Sequence, residues 1–231
     1  MPTISDAEFG DIVLRPSHNA TRISLRVAPN GTLRASMPPH TPTLVVKTMI
    51  ATSRPKIRKL FSQYRETVNA YNHDQSIGKS HMLVIQTNAL ATRVHTLGTK
   101  IIVDIGKESS IDDMAIQQDI RQAIIKALRK EAKSYLPRRL AFLAAEHDFS
   151  YKTVKMTHAS SRWGSCSSSG TISLNISLMQ LPFELLDYVL IHELCHTRHM
   201  NHSSAFWDEV RMIDPSYSTH RNALKHYTPN I

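Results

Sequence analysis

Cysteine is nearly missing from this sequence: Cys166 and Cys195 are the only two in 231 residues. That excludes a disulfide framework and points to a reducing compartment. No apolar run approaches the roughly 20 residues needed to cross a bilayer, so a spanning helix is not expected. The opening Met1-Pro-Thr-Ile-Ser-Asp6 lacks the basic-then-apolar pattern of a secretory signal, and the expected location is the cytoplasm. Acidic residues are in deficit, 19 against 28 Lys and Arg, which leaves a net charge of +9 and a pI near 9.7. Such a balance suits anionic surroundings, nucleic acid or acidic proteins among them. Internal repeats, low-complexity tracts and flexible linkers are not evident. What remains, 41% hydrophobic and 20% charged, is an ordinary globular chain long enough to bury a core in one large or two small domains.

What is present is concentrated in Val189-Leu-Ile-His-Glu-Leu-Cys-His196. His192 and His196 are four residues apart, a little over one helical turn, so both imidazoles leave the same face. Two imidazoles so placed can share one Zn²⁺, and Glu193 can reach a water on the metal. This HExxH spacing is a strong zinc-peptidase signal. Catalytic zinc usually takes three protein ligands. His199 lies on nearly the same face but roughly 10 Å along the axis from His192. His202 becomes the third ligand if the helix ends near Met200-Asn201 and Asn201 turns the chain back in a left-handed conformation. His202 is therefore expected, with His199 as the alternative.

Along the chain, residues 11 to 37 read as β, with Ile23, Leu25 and Val27 alternating before a Pro29-Asn-Gly31 turn, and Leu33, Ala35 and Met37 after it. Thr41 or Thr43 is positioned to cap a helix over 44–52, and Pro55 to open another through Ile57, Leu60, Phe61 and Tyr64. Short strands follow around 82–85, 93–95 and 100–105. Asp112-Asp113 then opens a long helix with Ile116, Ile120, Ile124, Leu128 and Tyr135 as its apolar stripe, kinked or restarted at Pro137. Lys126, Arg129, Lys130 and Lys133 occupy its opposite face, a solvated surface or a weak nucleic-acid contact. Strand 154–156 and a hairpin of 161–166 with 171–178 precede the zinc helix. There Ile172, Leu174, Ile176 and Leu178 face one way and Ser173, Asn175 and Ser177 the other. Pro182 fits the first turn of that helix, and Ser203 or Ser204 caps a short one after it. The fold class read from this order is α+β: a β-rich part over 1–110 with a helical insertion, then a helix and sheet catalytic part over 111–231.

The segments Arg162-Trp-Gly-Ser-Cys-Ser, Ile172-Ser-Leu-Asn175, Asp187 to His196 and Met200-Asn-His-Ser-Ser-Ala-Phe-Trp207 resemble the YgjP-like metallopeptidases, relatives of the SprT and WLM peptidases in the compact gluzincin-related group. The resemblance is dense from about 161 to 207 and weaker towards both ends. It implies a zincin-like catalytic domain, zinc on His192, His196 and His202, and Glu193 as the catalytic acid/base. The expected reaction is hydrolysis of peptide bonds in intracellular proteins, by Glu-assisted attack of zinc-bound water. The other reading is a zinc-stabilised nucleic-acid-binding module with a vestigial site, or a protease working near DNA. An intact Glu193 favours the enzyme, because a structural zinc site has no use for a base. Thr171 to Ser177 is the candidate strand for pairing with substrate, giving Thr171, Ser173 and Asn175, with Arg162 nearby. Arg162, Tyr217, His220, His226 and Tyr227 are candidate donors to the oxyanion. Asp208, Glu209 and Asp214 are candidates to hold the second nitrogen of a ligand. Trp163, Phe206, Trp207 and Cys195 are assigned to packing.

Overall fold

The computed structural model describes residues 2–28, 31–67, 71, 73–229 and 231, with 63–67 and 114 described by backbone alone. Pro29 and Asn30 of the expected turn, and the Tyr64 side chain, lie outside the described residues. The chain is a mixed α+β structure, and its packing separates Met1–Ala70 from Tyr71–Ile231.

In the first unit, β1 (Thr3–Asp6), β2 (Gly10–Pro16), β3 (Ser24–Val27) and β4 (Leu33–Met37) form one sheet in the order β1-β2-β4-β3. The central pair β2 and β4 is parallel and the outer pairs antiparallel. Period-two alternation turns Ile12, Leu14, Leu33, Ala35 and Met37 to one face. That face packs with Val46 and Ile50 of α1 (Thr43–Thr52) and Ile57 of α2 (Arg54–Thr67). Neither expected threonine caps α1. Pro42 is its N-cap with no side-chain bond, and the Thr41 hydroxyl donates to Pro38 O at 2.8 Å instead.

The second unit begins with β5 (Gln75–Ile77), β6 (His81–Ala89), β7 (Arg93–Leu97) and β8 (Lys100–Gly106), ordered β5-β6-β8-β7. Again the central pair is parallel and the outer pairs antiparallel. The two sheets thus share one topology, a repeat that left little trace in the sequence beyond Ala20-Thr-Arg-Ile23 ahead of β3 and Ala91-Thr-Arg-Val94 at β7. β5 shows no signal in the sequence, because three residues are too few to establish alternation. Ile101, Val103 and Ile105 of β8 share a core with Ile116, Ile120, Ile124 and Leu128 of α3 (Met114–Glu146). The sequence changes from strand to helix near 110, whereas packing groups this sheet with α3 and the rest of the chain and divides at 70/71.

α3 runs 33 residues without interruption through Pro137. The proline forfeits one backbone bond. Leu136 and Leu140, fully buried on either side, hold the helix on the core. Lys126, Arg129, Lys130 and Lys133 are exposed, as the stripe pattern requires. Asp113 is the N-cap, but its carboxylate accepts from Ser110 N rather than from the helix.

The turn between β5 and β6 is moulded around Glu131 of α3. That carboxylate accepts from Lys79 N at 2.7 Å, Ser80 N at 3.0 Å, Ser80 Oγ at 2.8 Å, His81 N at 3.1 Å and His81 Nδ1 at 2.5 Å. Gly78 makes this approach possible, since it sits at φ +65° and a Cβ there would lie 2.3 Å from Glu131 Oε2. Lys79 extends the tie by donating through Nζ to Leu181 O, just ahead of the histidine-bearing helix.

β9 (Thr153–Thr157), β10 (Gly164–Cys166) and β11 (Thr171–Asn175) make a third sheet in the order β10-β11-β9. β11 stops at Asn175, earlier than its alternation suggests. Ile176–Gln180 is a 3₁₀ turn capped at its start by Asn175 Oδ1, which accepts from Ser177 N. Then come α4 (Phe183–Cys195), α5 (Ser204–Ile213) and α6 (Tyr217–Leu224). Pro182 is the N-cap of α4 and Ser203 that of α5. Asp187 on α4 takes both the Nε (2.9 Å) and Nη2 (2.7 Å) of Arg139, locking α4 to α3. Among the described residues no helix is long and apolar enough to cross a membrane.

Candidate active site

α4 is buried almost all round: Leu186, Leu190 and Leu194 are fully enclosed, and Glu193 is only 5% exposed. Its regular helix ends at Cys195, five residues before the point that its sequence suggests. His196 is the C-cap at φ −67°, ψ −14°, and the chain tightens into three-residue turns: Thr197 N donates to Leu194 O at 2.9 Å and Arg198 N to Cys195 O at 3.1 Å. The Thr197 hydroxyl also bonds Leu194 O at 2.7 Å and competes with continued helix. Asn201 is not left-handed; the positive-φ residues other than glycine are Asp74, Asn88 and Asp148 among the described residues.

The early ending brings His202 back. Ligand atoms of His192, His196 and His202 all lie within 4.8 Å of one another, and the two Nε2 atoms of His192 and His202 are 3.1 Å apart. His199 does not join them, because its Nε2 is 3.3 Å from Glu209 Oε2. Phe206 of α5, fully buried, is the common backing of the three imidazoles, with ring centroids at 5.0, 4.6 and 4.8 Å. Trp207 stacks on His202 at 5.4 Å, and Tyr217 on Trp207 at 5.7 Å. The packing roles expected of Phe206 and Trp207 are thus also what fixes the histidines.

These residues fit a metal ion. Ligands at 2.0–2.1 Å in tetrahedral array lie about 3.4 Å apart, close to the separation of His192 and His202. His196 Nδ1 lies 2.9 Å from His199 O, which can only accept, so Nδ1 holds the proton and Nε2 has its lone pair free. Burial, reinforced by the charges of His196 and His202, drives His192 down to about 3, so its imidazole is neutral and able to ligate. His192 Nδ1 and Glu193 Oε2 are both buried without a hydrogen-bond partner. Burial also pushes Glu193 up to about 8, against the opposing pull of Arg162. A buried, under-bonded carboxylate beside a cluster of imidazoles is an arrangement that a cation would stabilise.

The other predicted residues fall in distinct places. β11 is the central strand of its sheet, paired antiparallel with β10 and parallel with β9, so Thr171 and Ser173 have no free edge to offer. Asn175 is fully buried, and its amide donates to Ala159 O at 2.6 Å and Arg162 O at 2.9 Å. It pins the loop that leads into β10. The exposed edge next to Glu193 belongs to β10, where a Cβ on Gly164 would lie 2.6 Å from Glu193 Oε1. Trp163 O accepts from Asn175 N and Ser167 N donates to Thr171 O, so residues 163, 165 and 167 face β11. The backbone groups of Gly164 and Cys166 consequently point outward.

Arg162 is exposed with its charge felt at Glu193. Tyr217 is taken up by stacking, and His220 bonds Asp214 through Nδ1 at 2.7 Å. His226 and Tyr227 are exposed beyond α6. Asp208 pairs with Arg211, Glu209 with Arg198 and Asp214 with His220, so no ion pair joins these three acidic candidates to His192, His196 or His202. Cys195 is fully buried, and its thiol is pushed up to about 12 chiefly by burial. Sequence reasoning overlooked Arg221 of α6, whose guanidinium lies 4.5 Å over Trp207 and whose charge reaches His192 and His202. It also overlooked Gly164 and the His199 carbonyl, because backbone groups and missing side chains have no signature in residue type.

Among solved structures, the chain is similar to the metallopeptidase zymogen abylysin of Pyrococcus abyssi, with 26% identity and a TM-score of 0.36 over 38% of this chain and 90% of that one. It is also similar to the zymogen jannalysin of Methanocaldococcus jannaschii, with 18% identity and a TM-score of 0.35 over 39% and 93%. Comparison with curated proteins gives no match. A family model described as YgjP-like, metallopeptidase domain, covers residues 21–227, which is nearly the whole sequence, and this chain belongs to that family.

Proposed function

We propose that this metallopeptidase is a zinc enzyme that hydrolyses peptide bonds of intracellular proteins with Glu193 as its acid/base. The observation that carries the reading is the cluster of His192, His196 and His202 beside a buried carboxylate with one unpartnered oxygen. Zinc, when bound, supplies Lewis acidity at the scissile carbonyl and acidifies water. Glu193 takes the proton of the attacking water and delivers it to the leaving amine. The outward N–H and C=O groups of Gly164 and Cys166 pair with the substrate main chain, which makes recognition indifferent to most side chains. Arg221, whose charge is felt at His192 and His202, and Arg162, whose charge is felt at Glu193, supply positive charge that favours the developing oxyanion.

Glu193→Gln tests the chemistry apart from the binding. Zinc content and fold are expected to persist while hydrolysis of an unfolded protein falls by about 10²–10⁴-fold. Equal rates in wild type and variant would assign any observed cleavage to a contaminant.

A second activity has one observation in its favour. Lys126, Arg129, Lys130 and Lys133 are exposed on one face of α3, and none has an ion-pair partner among the described residues. Four such cations suit a phosphate backbone without reading bases, so the protease would work near nucleic acid.

A further inference from the structure

We infer that Glu209 is a positioning residue for the metal site: it holds His199, whose backbone carbonyl in turn fixes the tautomer and orientation of His196. The inference rests on the metallopeptidase reading of the three histidines. His196 is the C-cap of its helix, and the turn over 196–198 is tied back by Thr197 N to Leu194 O, Arg198 N to Cys195 O and His199 N to Cys195 O. Yet the acceptor for His196 Nδ1 is the carbonyl at the far end of this turn, at 2.9 Å. One backbone bond, His199 N to Cys195 O at 2.9 Å, holds residue 199 at its amide, and a second tie is needed to fix where its carbonyl points.

Glu209 on α5 does so from two sides. Its Oε1 accepts from Arg198 Nη1 at 2.5 Å and its Oε2 lies 3.3 Å from His199 Nε2. The carboxylate is mostly enclosed, with its side chain 14% exposed. Oε2 makes no hydrogen bond, so its approach to His199 Nε2 is a close polar contact, while Oε1 carries the hydrogen bond to Arg198. Arg198 is itself held by Asp148 O at 2.5 Å and lies 4.1 Å over the Phe149 ring, so the turn is fastened to the chain leaving α3. The His199 imidazole, placed by its spacing among possible ligands, serves instead as the handle by which its own carbonyl is held. A ligand oriented by an outer partner typically loses 10–100-fold in metal affinity when the partner is removed.

The competing account is that Glu209 only stabilises the fold. Zinc affinity, measured by chelator competition, separates the two. Glu209→Ala and His199→Ala should each weaken zinc by about 10–100-fold. The double variant should lose no more than the weaker single variant, because both changes cut one relay. Nitrogen NMR of the His196 ring in the metal-free protein should show Nδ1–H giving way to a mixture of tautomers in each. Glu209→Gln keeps an acceptor for Arg198 and the side-chain volume, so it should fold like wild type and lose affinity in the same direction by less. Wild-type affinity in Glu209→Ala, or losses that multiply in the double variant, would overturn the inference alone. A wild-type protein that takes up no zinc would overturn the metal reading and this inference with it.

Discussion

Gly164→Ala offers a test of how closely the edge strand sets the Glu193 carboxylate, the proposed acid/base. Gly164 is not in the left-handed region, so alanine meets no backbone strain there, and the added methyl acts through contact alone. That methyl would lie 2.6 Å from Glu193 Oε1 and 2.8 Å from both Cδ and Cγ, about 0.8 Å short of the 3.4 Å at which ordinary contact begins. Glu193 is 5% exposed and cannot swing into solvent, so it must move by most of that distance within the site. A misplacement near 1 Å costs on the order of 10²-fold, or about 2.7 kcal/mol in the barrier. The overlap itself should destabilise the fold by about 1–3 kcal/mol, a melting shift of a few degrees in a chain of this size. The three nearest atoms to the new methyl all belong to Glu193, so zinc stoichiometry should be unchanged. The assay is kcat/KM on an unfolded protein at saturating zinc, with metal content and Tm measured on the same preparation. A rate within twofold of wild type at full zinc would refute the idea that β10 positions Glu193. Loss of zinc would refute the separation of base from ligands.

Other outcomes rest on the same geometry. Burial raises the Glu131 pKa, but the bonds from His81 and the 79–80 turn outweigh it and hold the group below the ordinary 4.5. A depressed folded value gives stability that is present above the unfolded value and lost as pH falls through the folded one. The Tm of wild type should therefore fall more steeply below about pH 4.5 than that of Glu131→Gln, followed by thermal melts across pH. Gly78→Ala should cost about 2–4 kcal/mol, from the left-handed backbone and the overlap with Glu131 and Leu128, read by denaturant titration. His202→Ala should fail to retain zinc through dialysis, whereas His199→Ala at saturating metal should still bind one equivalent; the reverse pattern would reassign the third ligand. Changing Lys126, Arg129, Lys130 and Lys133 to glutamine should flatten the salt dependence of duplex DNA binding by about 0.9 log unit for each phosphate no longer neutralised, and an unchanged slope would remove this face as the binding surface.

Features with a strict period were legible in the sequence. The stripe of Ile116, Ile120, Ile124 and Leu128 gave α3, and the spacing of His192 and His196 gave the shared face of α4. The same reliance on period produced the errors. Apolar residues at 172, 174, 176 and 178 continue to alternate although the strand ends at Asn175, because a tight turn can also bury Ile176 and Leu178. Alternation likewise sent Asn175 outward, whereas its three polar partners are all backbone groups of nearby segments, invisible to pattern. The end of α4 was misjudged because Thr197 bonds back to Leu194 O, a choice between two local hydrogen bonds that hydrophobicity does not record. That β10 rather than β11 holds the free edge depends on the parallel pairing of β11 with β9, a long-range fact.

The shared topology of the sheets β1-β2-β4-β3 and β5-β6-β8-β7 creates a hazard during folding. Two stretches of one chain can fill the same slot: a strand made to lie parallel to β2 finds a similar berth beside β6. Repeated modules are prone to such exchange, and their unpaired edges are sticky until the right partner arrives. Divergence of the two copies is the safeguard. β4 presents Leu33, Ala35 and Met37 to its core while β8 presents Ile101, Val103 and Ile105. A small alanine at the centre of one and a branched valine at the centre of the other make each strand a poor fit in the wrong sheet. Making the two centres alike, by Ala35→Val or by Val103→Ala, should raise the yield of misfolded chains on refolding.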